Sequence, residues 1–314
     1  MSNTSRGRWL AFNYATTIFL SAFLLFQVQP LVSKYILPWF GGSPAVWTTC
    51  MLFFQTLLFG GYAYAHFVSQ RLAPRAQATL HLVVILTALV FLRVVPDASW
   101  KPTDASDPIG RILLLLSVSV GLPYFVLSTT GPLVQAWFAR SFPGRTPYRL
   151  YALSNIGSLL ALLTYPLAFE RMFSAKEQAG YWSWGFTAFA VLCGAAAIWL
   201  WKSEDRRGAA ADASTARTPG NLEGLAVGEA VRPDRRATVV NDAPTFGRRL
   251  LWLGLPAAAS ITLLATTNHL CTDVAVMPFL WVAPLSLYLL TFIVAFDHPR
   301  WYRRGVIAPL ALLA

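Results

Sequence analysis

The sequence predicts an all-helical, polytopic transmembrane bundle, and three observations carry that expectation. Over 314 residues the chain is 56% hydrophobic and only 12% charged, with a mean hydropathy of +0.51. Soluble domains carry about 25% charged residues. The apolar residues fall into runs long enough to cross a bilayer, which takes roughly 20 residues as a helix. The basic residues sit in alternate connections between those runs, as the positive-inside rule requires.

The spans follow from the runs in order. They lie near 12–37, 44–68, 76–95, 110–139, 148–169, 180–201, 249–268 and 278–296. A ninth run begins near Val306 and reaches the end of the sequence within a few residues, so the chain reads as the amino-terminal part of a longer product. Arg6 and Arg8 precede the first run as in a signal peptide, but that run continues through Gln27-Val-Gln29-Pro30 to Lys34 without a small-residue cleavage site. It is therefore read as an uncleaved span. With the amino terminus in the cytoplasm, only Lys34, Arg93, Lys101, Arg111, Arg171 and Lys176, of 25 basic residues, fall on the outer side. The net charge of +11 and pI near 10.0 belong to that asymmetry and not to a nucleic-acid partner.

Irregularities mark two spans. The fourth contains Gly121, Pro123 and Gly131-Pro132 and is too long for one untilted crossing, which predicts a broken or strongly tilted helix. Ser128, Thr129 and Thr130 stand ready to satisfy carbonyls that the prolines free. In the fifth, Ser154 and Ser158 are four apart, a small-residue spacing that permits close helix contact.

Residues 202–247 change character, with Phe246 the one aromatic and Ala, Gly, Asp and Arg abundant, which predicts a flexible cytoplasmic linker. The expected organisation is a first six-helix bundle over 1–201, this linker over 202–247, and an incomplete second bundle over 248–314. Six spans and a long cytoplasmic loop form the layout of a major facilitator half. Gln29-Pro30 ahead of Pro38-Trp39, and Asn268-His269 ahead of Pro278-Phe279, hint at an internal repeat.

Polar side chains inside apolar runs are the candidate site, because hydrocarbon offers them no water. They are Gln27, Gln29, Lys34, Gln55, Asn155, Asn268 and His269. Gln27 and Lys34, seven apart, share a helix face with Leu31 unless Pro30 disturbs the register. Two readings stand beside each other: a cavity-lining stripe that binds substrate, or Lys34 snorkelling to headgroups while the glutamines tie helices together. His66 and His81 flank the short turn with Arg71 and Arg75 and are expected at the interface. His269, four residues before Asp273, is either a His-carboxylate pair or a solvated loop pair. No acidic residue precedes Asp97, which weighs against simple transport of a polycation.

Cys50, Cys193 and Cys271 are far apart and form no CxxC, so neither a metal nor a disulfide is expected. No phosphate loop, dinucleotide fingerprint, HExxH or nucleophile elbow occurs, so no catalytic residue and no cofactor are assigned.

Three blocks carry a family resemblance: FLLFQVQPLVSKYILPWFGGSPAVWTTCMLFFQ, YALSNIGSLLALLTYP and TNHLCTDVAVMPFLWVAPLSLYLLTFIVAF. In this order they resemble the membrane portion of bacterial fused major facilitator/spermidine synthase-like proteins. The resemblance implies a multi-pass inner-membrane region followed, in the full-length chain, by a soluble aminopropyltransferase-like domain. It transfers no catalytic residue to this chain. The function it implies is movement or channelling of a small polar or amine-bearing molecule, with an inert membrane anchor for the enzyme domain as the alternative.

Overall fold

The computed structural model describes residues 3–41, 44–96, 98–101, 108–216, 245–269, 282–297 and 305. Among them the structure is helical, without a strand. The helices are α1 (Asn3–Phe40), α2 (Pro44–Arg71), α3 (Pro74–Val90), α4 (Pro108–Leu116), α5 (Leu122–Ser141), α6 (Tyr148–Thr164), α7 (Glu170–Met172), α8 (Ala175–Ala216), α9 (Phe246–His269) and α10 (Val282–Asp297). Among the described residues, five helical stretches are long and apolar enough to cross a membrane: Ser5–Phe40, Pro108–Ser141, Tyr148–Met172, Ala175–Ser203 and Phe246–Thr267. The run expected from Val306 lies outside the described residues.

Two compact units account for the chain, Met1–Glu204 with Leu285–Ala314, and Asp205–Pro284. Residues 285–297 thus group with the helices of residues 1–204, where the rings of Phe292 and Phe296 meet Tyr151 on α6 at 5.9 and 4.7 Å. The segment 202–247 is not a linker throughout, because α8 continues to Ala216. Alanine is the best helix former, and Ala209, Ala210, Ala211 and Ala213 carry the helix on. In the second unit, α9 exposes apolar side chains from Leu250 to Leu264.

The first unit is organised around α1. This 38-residue helix stays continuous through Pro30 and Pro38, and Gly41 at its end takes φ +84°, the left-handed conformation open to glycine. Tyr14, Ile18, Val28, Val32 and Ile36 are all fully buried. It packs most extensively on α6 and α5, while α2 packs chiefly on α5. Two glycines allow those approaches. A Cβ on Gly157 of α6 would stand 2.7 Å from the Phe19 carbonyl oxygen of α1, and one on Gly61 of α2 would overlap the Ser128 hydroxyl of α5. The close contact expected at Ser154 and Ser158 is thus made by the glycine between them, while the Ser158 hydroxyl donates back to the Ser154 carbonyl at 3.1 Å.

The fourth and fifth spans both widen, where the sequence predicts a break in the fourth. A π turn, Ser117–Gly121, joins α4 to α5, and a second, Tyr165–Phe169, joins α6 to α7. Each has a proline within or just after it, Pro123 and Pro166, whose missing N–H leaves the carbonyl four residues earlier without its helical partner. Adding one residue to the turn absorbs that defect without interrupting the helix. Pro132 lies inside α5, and the hydroxyls near it bond a turn earlier: Ser128 to the Phe125 carbonyl at 2.7 Å and, across to α2, to that of Leu57 at 3.3 Å, with Thr129 and Thr130 to that of Val126.

Gly157→Ala places a methyl against rigid backbone and is expected to destabilise the protein by about 1–3 kcal/mol, the usual cost of overpacking. Gly180→Ala meets nothing within 4 Å and serves as the clash-free control, expected to be unchanged or stabilised by up to about 1 kcal/mol through helix propensity. Thermal unfolding of the two variants in detergent, followed by tryptophan fluorescence, checks the difference.

Candidate functional site

Continuity of α1 through Pro30 decides which polar residues share a face. At about 100° per residue, Gln27, Leu31 and Lys34 line one side, and Gln29 points the opposite way. Gln29 is half-buried and donates through Nε2 to the Tyr124 hydroxyl at 3.3 Å and to the Leu25 carbonyl at 3.5 Å. Phe54 of α2 packs on the same Tyr124 ring at 4.9 Å. Gln29 therefore ties α1 to α5 just after the first π turn. Gln27 is buried, and its Nε2 has no hydrogen-bond partner.

The Gln27 face of α1 leads to the second π turn. There the Glu170 backbone N–H donates to the Tyr165 carbonyl, closing a five-residue turn that sets the two side chains on one side of the helix. Tyr165 is buried with its hydroxyl unpartnered. Glu170 reaches Lys34, with Oε1 3.7 Å from Nζ and the two side chains 31% and 38% exposed. Lys34 is therefore partly exposed and faces a carboxylate from the neighbouring helical stretch.

The start of α8 completes the group. Ser174 and Glu177 cap the helix reciprocally: the Ser174 N–H donates to Glu177 Oε2 at 2.8 Å, and the Glu177 N–H donates to the Ser174 hydroxyl at 3.4 Å. One residue later, Gln178 Nε2 donates to the carbonyls of Phe169 at 3.2 Å and Phe173 at 2.8 Å, and Oε1 is buried without a partner. One turn further, the Trp182 indole N–H donates to the Leu24 carbonyl at 2.9 Å, and Gly185 admits the Leu24 side chain. Leu10 and Tyr14 share a core cluster with Ala196, Ala197 and Leu200, so α1 and α8 run antiparallel. Gln27 stands one turn past Leu24 on α1, toward the end where Gln178 stands one turn before Trp182 on α8.

Three buried polar side chains from three elements thus sit at the same end of the first unit as the Lys34–Glu170 pair, each with an unsatisfied atom: a donor on Gln27, an acceptor on Gln178, and a hydroxyl on Tyr165. Such a group costs about 1–3 kcal/mol when left unpaired in a protein interior. The arrangement can hold a polar molecule by hydrogen bonds with one charge of each sign at its rim. It holds no nucleophile–base pair, and no group of three potential metal ligands occurs among the described residues.

The remaining candidates lie elsewhere. Gln55 is exposed on α2. Asn155 returns its Nδ2 to the Tyr151 carbonyl of its own helix at 2.9 Å. His269 is exposed at the end of α9 in the second unit, and the Asn268 side chain and Asp273 lie outside the described residues.

Other buried polar groups escape a reading of apolar runs alone. Gln77, fully buried near the start of α3, accepts from the Trp137 indole at 3.1 Å and donates to the carbonyls of Leu72 at 2.8 Å and Ser69 at 3.3 Å. Arg140 donates to the same Ser69 carbonyl at 2.9 Å. His81 is not interfacial in the exposed sense but fully buried, between the rings of Tyr64 at 6.1 Å and Trp137 at 5.8 Å, with both ring nitrogens unpartnered. The two capping glutamines do share a sequence signal. Each lies in the first turn of a helix, five residues after the carbonyl it caps across a short turn.

No protein-family model, curated protein or solved structure matches the chain.

Trp137→Phe keeps the ring but leaves Gln77 Oε1 without its donor, and is expected to cost about 1–3 kcal/mol of stability. Lys34→Gln removes a partly exposed ion pair and is expected to change stability by less than about 1 kcal/mol. Denaturation midpoints in detergent distinguish the two.

Proposed function

We propose that the first unit binds a small polar or amine-bearing molecule between α1, the second π turn and the start of α8, and carries it across the membrane. The observation that supports this most directly is the trio of buried, unsatisfied groups on Gln27, Tyr165 and Gln178 behind a rim of one lysine and one glutamate. At Gln29 and Gln77 the amide groups complete hydrogen bonds within the protein. Binding groups keep atoms available for a ligand. We further propose, from the sequence resemblance, that the chain is the membrane region of a spermidine synthase-like fusion protein of the bacterial inner membrane, amino terminus in the cytoplasm.

A second reading, a membrane anchor for a carboxyl-terminal enzyme domain, draws on the polar side chains whose bonds stay within the protein, Gln29, Gln77 and Asn155. Purified protein in liposomes loaded with a defined mixture of amino acids, putrescine, spermidine and simple sugars separates the two, with efflux measured by mass spectrometry. Transport gives protein-dependent efflux of at least one solute, lost at unchanged protein abundance in the Gln27→Leu variant, which removes an amide nitrogen that has no hydrogen-bond partner. An anchor gives none, and its variants lose abundance instead. For the orientation, a cysteine introduced at Ala209 is expected to react with an impermeant maleimide only after the inner membrane is opened. Labelling in intact spheroplasts would reverse the topology.

A further inference from the structure

We propose that this group selects a net-neutral zwitterion bearing a carboxamide, the chemistry of an amino-acid amide side chain, over a polyamine dication or a dianion. The inference rests on the reading of the group as a binding site and names what that site takes.

Charge balance is the first argument. Lys34 and Glu170 meet at 3.7 Å, longer than the 2.7–2.9 Å typical of a charge-assisted hydrogen bond, and both are about one-third exposed. An exposed pair of this kind is held weakly and can be opened at little cost. A zwitterion entering between them gives its ammonium to Glu170 and its carboxylate to Lys34, so each protein charge exchanges one partner for another and none is left alone. A dication would satisfy Glu170 and leave a second positive charge beside Lys34. A dianion would strand Glu170 in the same way. At this partly exposed pair the like-charged neighbour and the stranded protein charge offset the single ion pair that such a ligand would form, so it gains nothing over the resting state. Other charges nearby do not alter the balance at the pair: Arg171 and Lys176 are exposed, and Glu177 is engaged with Ser174.

The buried groups describe the rest of the ligand. Gln27 Nε2 lacks an acceptor and Gln178 Oε1 lacks a donor, while Tyr165 Oη can serve as either. A primary carboxamide supplies both, with its carbonyl toward Gln27 and its NH₂ toward Gln178. No charged residue accompanies these three in the buried set, so the far end of the molecule is uncharged. Gln27 and Lys34 are seven residues apart, an axial step of about 10 Å at 1.5 Å per residue, which a five-carbon amino-acid amide spans with the help of the two side chains.

Uptake into proteoliposomes of L-[³H]glutamine, [¹⁴C]putrescine and [¹⁴C]glutarate, as zwitterion, dication and dianion, tests the assignment. The expected result is saturable glutamine uptake, with putrescine and glutarate at the level of protein-free liposomes. Lys34→Gln and Glu170→Gln should each lower glutamine uptake by at least about tenfold, the loss of one charge-assisted contact, without shifting the melting temperature. The double variant K34E/E170K should regain part of it. Putrescine or glutarate uptake equal to that of glutamine overturns the proposal, as does wild-type uptake in both single variants. If none of the three probes moves while the defined mixture reveals another solute, the zwitterion assignment falls and transport stands. If the mixture is also retained, both fall.

Discussion

A backbone carbonyl, that of Phe19, lies where a side chain on residue 157 would have to be, and the first unit depends on that position remaining a glycine. The contact brings α1 and α6 together closely enough that α1 is enclosed by its neighbours along most of its length. Enclosure then sets the polar chemistry. Asn13, Thr17, Ser21 and Gln27 are buried on α1 among apolar side chains, and no solvent reaches them. Thr17 and Ser21 resolve this locally, donating to the carbonyls of Asn13 at 2.8 Å and Ile18 at 2.9 Å. Asn13 and Gln27 have longer side chains with more to satisfy, and they are the ones left with unsatisfied atoms.

The same unit uses one device twice. Gln77 and Gln178 each stand in the first turn of a helix and fold their amide nitrogen back onto carbonyls at the end of the preceding one. Helix ends leave carbonyls that need donors, and inside an apolar environment a side-chain amide is an effective cap. The two differ in what the amide oxygen does. In Gln77 it accepts the Trp137 indole N–H and the group is closed; in Gln178 it accepts nothing, and the group remains able to bind. This difference at otherwise equivalent positions separates a structural glutamine from a candidate ligand contact.

The π turn at Tyr165–Phe169 links that chemistry to the rim. Pro166 cannot donate a backbone hydrogen bond, the helix takes up an extra residue, and Tyr165 and Glu170 come to one side. Without this widening the regular 3.6-residue period would turn Glu170 away from Tyr165. One proline thus places a buried hydroxyl and a carboxyl group beside the same stripe of α1.

Much of this architecture is legible in the composition and in the spacing of apolar runs, because both follow from local chemistry. Length and hydropathy put a helix at each expected run among the described residues, though α1 begins well before its run and α8 continues well past its own, and seven-residue spacing puts Gln27 and Lys34 on one face. What the runs do not carry is which neighbour each face meets. The pairing of Lys34 with Glu170, the burial of His81 and the exposure of Gln55 depend on contacts between residues far apart in the chain. The helical course of α8 to Ala216 is hidden from hydropathy, because low hydrophobicity reads as flexibility, whereas alanine needs no buried face to stay helical. By itself, then, the sequence determined that the chain forms long apolar helices with a few polar side chains set among them, since secondary structure and hydrophobicity are properties of short segments. The tertiary structure alone decided which of those side chains are satisfied and which are left open, since a hydrogen bond between helices requires two residues brought together by packing.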